Sequence, residues 1–214
     1  MTLADPVTDT QALLARRPGL AVLAFRGTEP HKLRDWRTDL RARPRAVPGL
    51  GRVHGGFWQA LEGIWPQLRE NLRPGEPLAL TGHSLGGALA MLAAARLLRD
   101  GHPVRQVITF GAPRAGDSAF VRSLDAANAV RVVRAFDLVP HLPPAGPLLG
   151  YRHAGHLLYI DANGVHWRSP GAWVRLTAVL QTLLKHRGPV RAAINAHDRH
   201  GYVRDTGNPD GDSS

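Results

Sequence analysis

The chain has 214 residues, of which 43% are hydrophobic and 21% charged, and it contains no cysteine. These values suit one globular domain with an apolar core, and the missing thiols exclude disulfides, thiolate metal sites and cysteine nucleophiles. The formal charge of +10 is spread from Arg16 to Arg204, which favours a solvated basic surface over a patch for nucleic acid or anionic lipid.

Predicted strands and helices alternate along the first two thirds of the chain. Short apolar runs predict buried strands at 19–27, 77–82, 104–111 and 129–136. Helical patterns lie between them at 55–71 and 85–100, and a shorter one follows Asp117. This order predicts a mostly parallel sheet with right-handed crossovers. A short helix is predicted at 11–16, where it would cover the N-terminal edge of the sheet.

The last third of the chain begins with a loop rich in proline and glycine at 137–151. A hairpin is predicted around 162–164, between strands at 156–161 and 165–169, and a helix at 172–185. We therefore expect a single domain over 1–202 and a disordered tail over 203–214. No apolar stretch approaches the roughly 20 residues that span a bilayer.

The N-terminus MTLADPVTDT lacks the basic head and apolar run of a secretory signal. We therefore expect a cytoplasmic location by default. Export by a route that the chain does not display is the alternative.

The most informative segment is TGHSLGG at 81–87, because it follows a predicted strand and opens a predicted helix. Gly82, Ser84 and Gly86 fit the G-x-S-x-G nucleophile elbow, in which a strained turn lifts the serine hydroxyl clear of the sheet. A side chain at either glycine would collide with the neighbouring strand or helix. The alternative is a plain glycine-rich turn in which Ser84 caps the helix.

A serine nucleophile needs a base and an orienting acid, which follow it in the order acid, then histidine. We favour Asp137 as the acid because it comes just after a predicted strand. Asp117 and Asp161 are the alternatives, but Asp117 suits a helix cap and Asp161 a hairpin turn. His197 and His200 are both candidates for the base, since both lie in a late loop.

The chain resembles the class 3 lipases, the filamentous-fungal-type triacylglycerol lipases of the α/β-hydrolase fold. The resemblance is carried in order by AFRGTEP at 24–30, DWRTDL at 35–40, VHGGFW at 53–58, LTGHSLGGALA at 80–90, ITFGAPRAGD at 108–117, DLVPHLP at 137–143, YRHAG at 151–155 and HDRHGY at 197–202. It implies a mostly parallel central sheet flanked by helices, with Ser84 as nucleophile and Asp137 as acid. Family members carry more sequence before the strand at 19–27 than this chain does, so we expect either a sheet reduced at the N-terminus or a sequence that starts late relative to theirs. The spacing of His197 from Tyr202 implies His197 as the base, with His200 as the fallback.

The resemblance also implies an oxyanion hole formed by the backbone N–H groups of Thr28 and Leu85. The stretch at 29–36, where family members carry a lid, is polar except at Leu33 and Trp36, so we do not expect strong interfacial activation. Apolar side chains that suit an acyl-chain pocket are Trp36, Leu142, Leu148 and Leu149.

The sequence therefore predicts a serine carboxylester hydrolase of lipase or esterase type that needs no metal or organic cofactor. Its expected partner is a lipid or small-molecule ester, with peripheral contact to a lipid interface and no nucleic acid. One alternative is a phospholipase or acyltransferase on the same triad. Another is a non-catalytic basic module that binds anionic lipid or nucleic acid.

Overall fold

An eight-stranded sheet in the order β1-β2-β3-β6-β7-β8-β9-β10 organises the fold. The computed structural model describes residues 1–27, 43–145, 150–171, 173–177, 179, 181 and 196–207. The strands are β1 (Thr2–Asp5), β2 (Thr10–Arg17), β3 (Leu20–Phe25), β4 (Pro44–Val47), β5 (Gly51–His54), β6 (Leu78–His83), β7 (Val104–Phe110), β8 (Ala129–Arg134), β9 (His156–Ile160) and β10 (His166–Arg168). The helices are α1 (Gly55–Asn71), α2 (Leu85–Arg99), α3 (Ser118–Arg122) and α4 (Arg199–Gly207), and single 3₁₀ turns span Asp125–Ala127 and Val139–His141.

The five central strands, β3, β6, β7, β8 and β9, run parallel to one another. Alternate residues such as Leu23, Leu80 and Val107 are completely buried on one face, where α2 packs against the sheet. Helix α2 is rich in alanine, and it is buried along nearly its whole length. Its small side chains let the helix pack closely against the sheet. The predicted parallel α/β architecture, an α/β-hydrolase fold, is confirmed.

The N-terminal edge of the sheet differs from the prediction. The segment expected as a helix at 11–16 lies within β2, which pairs antiparallel with β3 on one side and with β1 on the other. Thr10, Ala12 and Leu14 are buried and alternate with more exposed neighbours. This period of two is the pattern of a half-buried strand, so the predicted helix is wrong. The β4–β5 hairpin, which pairs apart from the main sheet, was also not predicted.

The C-terminal third contains the predicted hairpin, in which β9 and β10 pair antiparallel. Residues 173–177 are helical, within the helix predicted at 172–185. Helix α4 continues to Gly207, beyond the predicted domain boundary at 202, and its Asp205 forms an ion pair with Arg134. Among the described helices, none has the length and apolar content that crossing a bilayer requires.

Candidate active site

Ser84 stands in the turn between β6 and α2, at the edge where the parallel strands end. Its backbone has φ 55° and ψ −127°, a conformation that costs a non-glycine residue free energy and that clusters at functional sites. The side chain makes no capping hydrogen bond to α2, so the alternative of a capping serine is wrong. The hydroxyl is therefore directed to another partner.

Gly82 and Gly86 let the strand and helix of this turn approach each other. A Cβ at Gly82 would lie 2.7 Å from Gly87 N, and one at Gly86 would lie 2.9 Å from Arg26 O. Real Cβ atoms do not approach backbone atoms so closely. Any side chain at these two positions would therefore push α2 away from β3 and β6, and Ser84 would move with it.

The structure joins Ser84, His197 and Asp137 in one hydrogen-bonded chain. Nε2 of His197 lies 2.9 Å from Ser84 Oγ, and Nδ1 lies 3.0 Å from both carboxylate oxygens of Asp137. All three residues are buried, and Ser84 has no exposed surface. The sheet explains the convergence, since Ser84 and Asp137 follow β6 and β8, which flank β7. An imidazole held in this way can accept a proton from the serine hydroxyl.

Two further groups orient the carboxylate of Asp137. The hydroxyl of Tyr202 donates to Oδ2 at 2.6 Å, and the backbone N–H of Val139 donates to Oδ1 at 3.0 Å. Burial and the adjacent carboxylate raise the pKa of Tyr202 well above its ordinary value, so the phenol stays a donor. With His197 Nδ1 as a third donor, the carboxylate only accepts in the hydrogen bonds described for it, which suits it to stabilise an imidazolium.

Gly111, directly after β7, leaves the space in which these groups meet. Its φ is +57°, and a Cβ there would lie 2.7 Å from Asp137 Oδ2, 3.1 Å from Tyr202 Oη and 3.2 Å from His197 Nδ1. Both the backbone conformation and the available space therefore require glycine.

The remaining predicted site residues fall into two groups. Leu85 begins α2, where backbone N–H groups have no partner within the helix and can face an oxyanion. Leu142 is half-buried after the turn that follows Asp137. Predicted residues outside the described parts of the chain are Thr28, Trp36, Leu148 and Leu149.

The competing candidates occupy other roles. Asp117 caps α3, accepting from the backbone N–H groups of Ala119 and Phe120 at 3.0 Å. Asp161 accepts from Asn163 and Val165 at 2.9 Å in the β9–β10 turn. His200 is exposed on α4. None of these alternatives reaches Ser84.

A second histidine packs beside His197. Nε2 of His83 lies 2.8 Å from the backbone oxygen of His197, and because a carbonyl only accepts, Nε2 is the donor. Burial first, and then the neighbouring His197, lower the pKa of His83 to about 4, against a smaller opposite effect of Asp137. His83 is therefore neutral at pH 7 and holds the backbone of His197.

We expect the free energy of unfolding to fall as the pH is lowered from 6.5 to about 4, partly through His83. In this interval the unfolded imidazole, with its ordinary pKa of 6.5, binds a proton that the folded one, with its pKa of about 4, does not. Acid therefore favours the unfolded state. His83→Gln keeps a donor but does not titrate, so proton uptake on unfolding should fall by about one.

Urea unfolding of both proteins at about pH 7, 6 and 5 measures this difference. His153, whose pKa burial lowers to about 3, contributes equally to both proteins and cancels. Parallel stability curves for His83→Gln and wild type would contradict the assignment.

The roles of Gly111 and His83 were not predicted from the sequence. Each is recognised only by what it touches in three dimensions, and neither belongs to the serine, acid and histidine pattern. Tyr202 was used only for its spacing from His197. Its role could have been inferred from its aromatic ring, which favours burial although the surrounding segment is polar and charged. A buried tyrosine hydroxyl needs a hydrogen-bond partner.

Comparison with known proteins gives a consistent result. Residues 22–146 match the profile of the family described as Lipase (class 3). A lipase of Rhizomucor miehei is 33% identical over 173 residues, which cover 73% of this chain and 47% of the relative. The secreted mono- and diacylglycerol lipase 1 of Fusarium solani is 29% identical over 187 residues, covering 82% of this chain and 54% of the relative. The chain thus spans about half the length of these curated relatives.

The fold comparison agrees with the sequence comparison. A solved structure of Rhizomucor miehei triacylglyceride lipase superposes with a TM-score of 0.68 at 30% identity, over 78% of this chain and 68% of that one. The profile match alone extends over more than half of the chain, from β3 to the loop after Asp137. The protein is therefore a member of the class 3 lipase family.

Proposed function

We propose that this protein is a serine carboxylester hydrolase of lipase or esterase type. The observation that carries the proposal is the continuous hydrogen-bonded chain from Ser84 Oγ through His197 to Asp137. It is a nucleophile, a base and an orienting acid within bonding distance. Membership of the class 3 lipases supports an ester carbonyl as the group attacked.

The proposed reaction has two halves. His197 takes the proton of Ser84 as Oγ attacks the ester carbonyl, and the backbone N–H groups of Leu85 and Thr28 stabilise the oxyanion. His197 then gives that proton to the leaving alcohol, which leaves an acyl group on Ser84. Water, activated by His197, releases the carboxylic acid and restores the hydroxyl. No step of this scheme uses a metal or an organic cofactor.

The proposed partner is an acylglycerol or other lipid ester, with peripheral contact to its interface. The formal charge of +10 would favour an anionic interface, which keeps a phospholipase as the second candidate. The single-domain organisation remains a prediction. So does the cytoplasmic location, which gains no support from the Fusarium relative, whose name describes a secreted enzyme.

Covalent labelling tests the proposed nucleophile independently of substrate choice. A fluorophosphonate should attach to Ser84 in the wild-type protein, as read by peptide mass spectrometry, because the phosphoryl centre mimics the attacked carbonyl. Ser118→Ala, which removes an exposed serine at the start of α3, should label like wild type. Labelling elsewhere, or none in a folded protein, would overturn the proposal.

Turnover of matched esters separates the substrate classes. Short-chain esters, triacylglycerol emulsions and phospholipid vesicles are compared, and the released products are identified. Faster hydrolysis of triacylglycerol than of phospholipid supports the lipase, and the reverse result supports the phospholipase. No hydrolysis of any ester by a protein that binds vesicles would support the non-catalytic module.

A further inference from the structure

Arg134, the last residue of β8, contacts the segment that carries His197 at two separate points. Its Nε donates to Asp205 Oδ2 of α4 at 2.8 Å, and its Nη1 donates to the backbone oxygen of Ala196 at 3.3 Å. The side chain is only 17% exposed. Ala196 directly precedes His197, so one guanidinium ties both flanks of the base to the sheet.

The surroundings of the guanidinium fix its position. A Cβ at Gly201 would lie 2.7 Å from its central carbon, so α4 passes directly over it at that residue. The central carbon also lies 5.8 Å from the centre of the Tyr202 ring. In addition, the backbone N–H of Arg134 donates to Tyr202 Oη at 3.1 Å. Arg134 therefore contacts the residue before the base and the tyrosine that orients the acid.

The backbone of His197 is held from two directions. Arg134 binds the carbonyl of Ala196, and His83 binds the next carbonyl, that of His197 itself. Two side chains from the ends of β8 and β6 thus fix two consecutive peptide groups. Hydrogen bonds from a buried guanidinium are stronger than neutral ones, and its planar fork can serve two acceptors at once.

We infer that Arg134 is a positioning residue, which sets the imidazole of His197 against Ser84 by anchoring Ala196 and α4. The inference rests on the proposed ester hydrolysis and assigns to Arg134 no contact with substrate. A displacement of the base by about 1 Å can slow a reaction by about 100-fold. Loss of Arg134 should therefore reduce kcat and leave KM nearly unchanged.

The chain contains a matched control, Arg204. Its Nε pairs with the other oxygen of the same carboxylate, Asp205 Oδ1, at 2.9 Å, but its side chain is 75% exposed. Arg134→Met and Arg204→Met each remove one arginine pairing with Asp205. We expect kcat to fall by about tenfold or more in Arg134→Met, with KM within about twofold, and no change in Arg204→Met.

Arg134→Lys keeps the positive charge and a hydrogen-bond donor. We therefore expect it to fold even if Arg134→Met does not. A single ammonium can pair with Asp205 but cannot span to Ala196 with fork geometry. We expect a melting temperature close to that of wild type and a kcat reduced like that of Arg134→Met. A folded Arg134→Lys or Arg134→Met protein with kcat within about twofold of wild type would overturn the inference.

A measurement without substrate separates this inference from the proposed function. The downfield proton resonance of the His197–Asp137 hydrogen bond should shift or broaden in Arg134→Lys and stay unchanged in Arg204→Met. An unchanged resonance in Arg134→Lys overturns the positioning role. Absence of Ser84 labelling and of ester hydrolysis in wild type instead overturns the proposed function.

Discussion

Replacement of Ser84 by alanine should reduce kcat for ester hydrolysis by about 10⁶-fold. The change removes the atom that attacks the carbonyl and the hydroxyl proton that His197 Nε2 takes in the proposed reaction, across a distance of 2.9 Å. Loss of the nucleophile also leaves the base and the acid without a function in acyl transfer. A residual rate above that in water should persist, because binding and the oxyanion donors remain.

The structure indicates that this variant will fold. The Ser84 hydroxyl does not cap α2, so alanine removes no hydrogen bond from the helix end. The backbone conformation at φ 55° is as costly for alanine as for serine. The penalty is therefore one lost hydrogen bond, about 1 kcal/mol.

Initial rates on a short-chain chromogenic ester, with circular dichroism as the folding check, measure the effect. Ser118→Ala is the matched control, because it removes a hydroxyl at another helix start and should keep wild-type rates. Activity of folded Ser84→Ala within tenfold of wild type would contradict the proposed nucleophile.

Local signals made the central part of the fold predictable. Residues such as Leu23, Leu80 and Val107 lie in short apolar runs. These strands are buried on one face of the sheet and partly buried on the other, so few of their residues can be polar. The segment at 11–16 was misjudged because Gln, Ala, Leu and Arg are all good helix formers. Pairing with β1 and β3 overrides that preference, and no local pattern reports it.

The candidate site was predictable to different degrees for similar reasons. The Ser84 elbow was predictable because its two required glycines lie only four residues apart, within one short stretch of sequence. The His197 contact joins residues 113 positions apart, so residue-level reasoning left His197 and His200 open, and only the family resemblance favoured one. Arg134 and Gly111 act through the packing of α4 against the sheet, which the sequence does not encode as a motif.

Replacement of Asp137 by asparagine should lower kcat by about 10⁴-fold, which is less than the loss expected for Ser84→Ala. The carboxylate accepts from three donors, namely His197 Nδ1, the Tyr202 hydroxyl and the Val139 N–H. An amide brings an NH₂ group into this set. The Tyr202 hydroxyl can rotate to accept from this group. His197 Nδ1 can also accept from it, but only in the tautomer that carries the proton on Nε2, and that tautomer cannot take the proton of Ser84.

The lost negative charge adds to this effect. When Ser84 attacks, His197 becomes an imidazolium in a buried site, and a neutral asparagine stabilises that charge far less than a carboxylate. Tyr202→Phe separates the two contributions, because it removes one hydrogen bond from Asp137 and leaves the carboxylate. We expect it to slow turnover by about tenfold, the cost of one hydrogen bond to a charged group.

Values of kcat and KM for Asp137→Asn and Tyr202→Phe, with melting temperatures for both, test this order of effects. KM should change little, because neither side chain is proposed to contact the ester. A folded Asp137→Asn protein no slower than Tyr202→Phe would show that hydrogen bonding alone orients His197, and the charge assigned to Asp137 would have no part in turnover. A gap of about 1,000-fold between the two variants is the result expected if that charge stabilises the imidazolium.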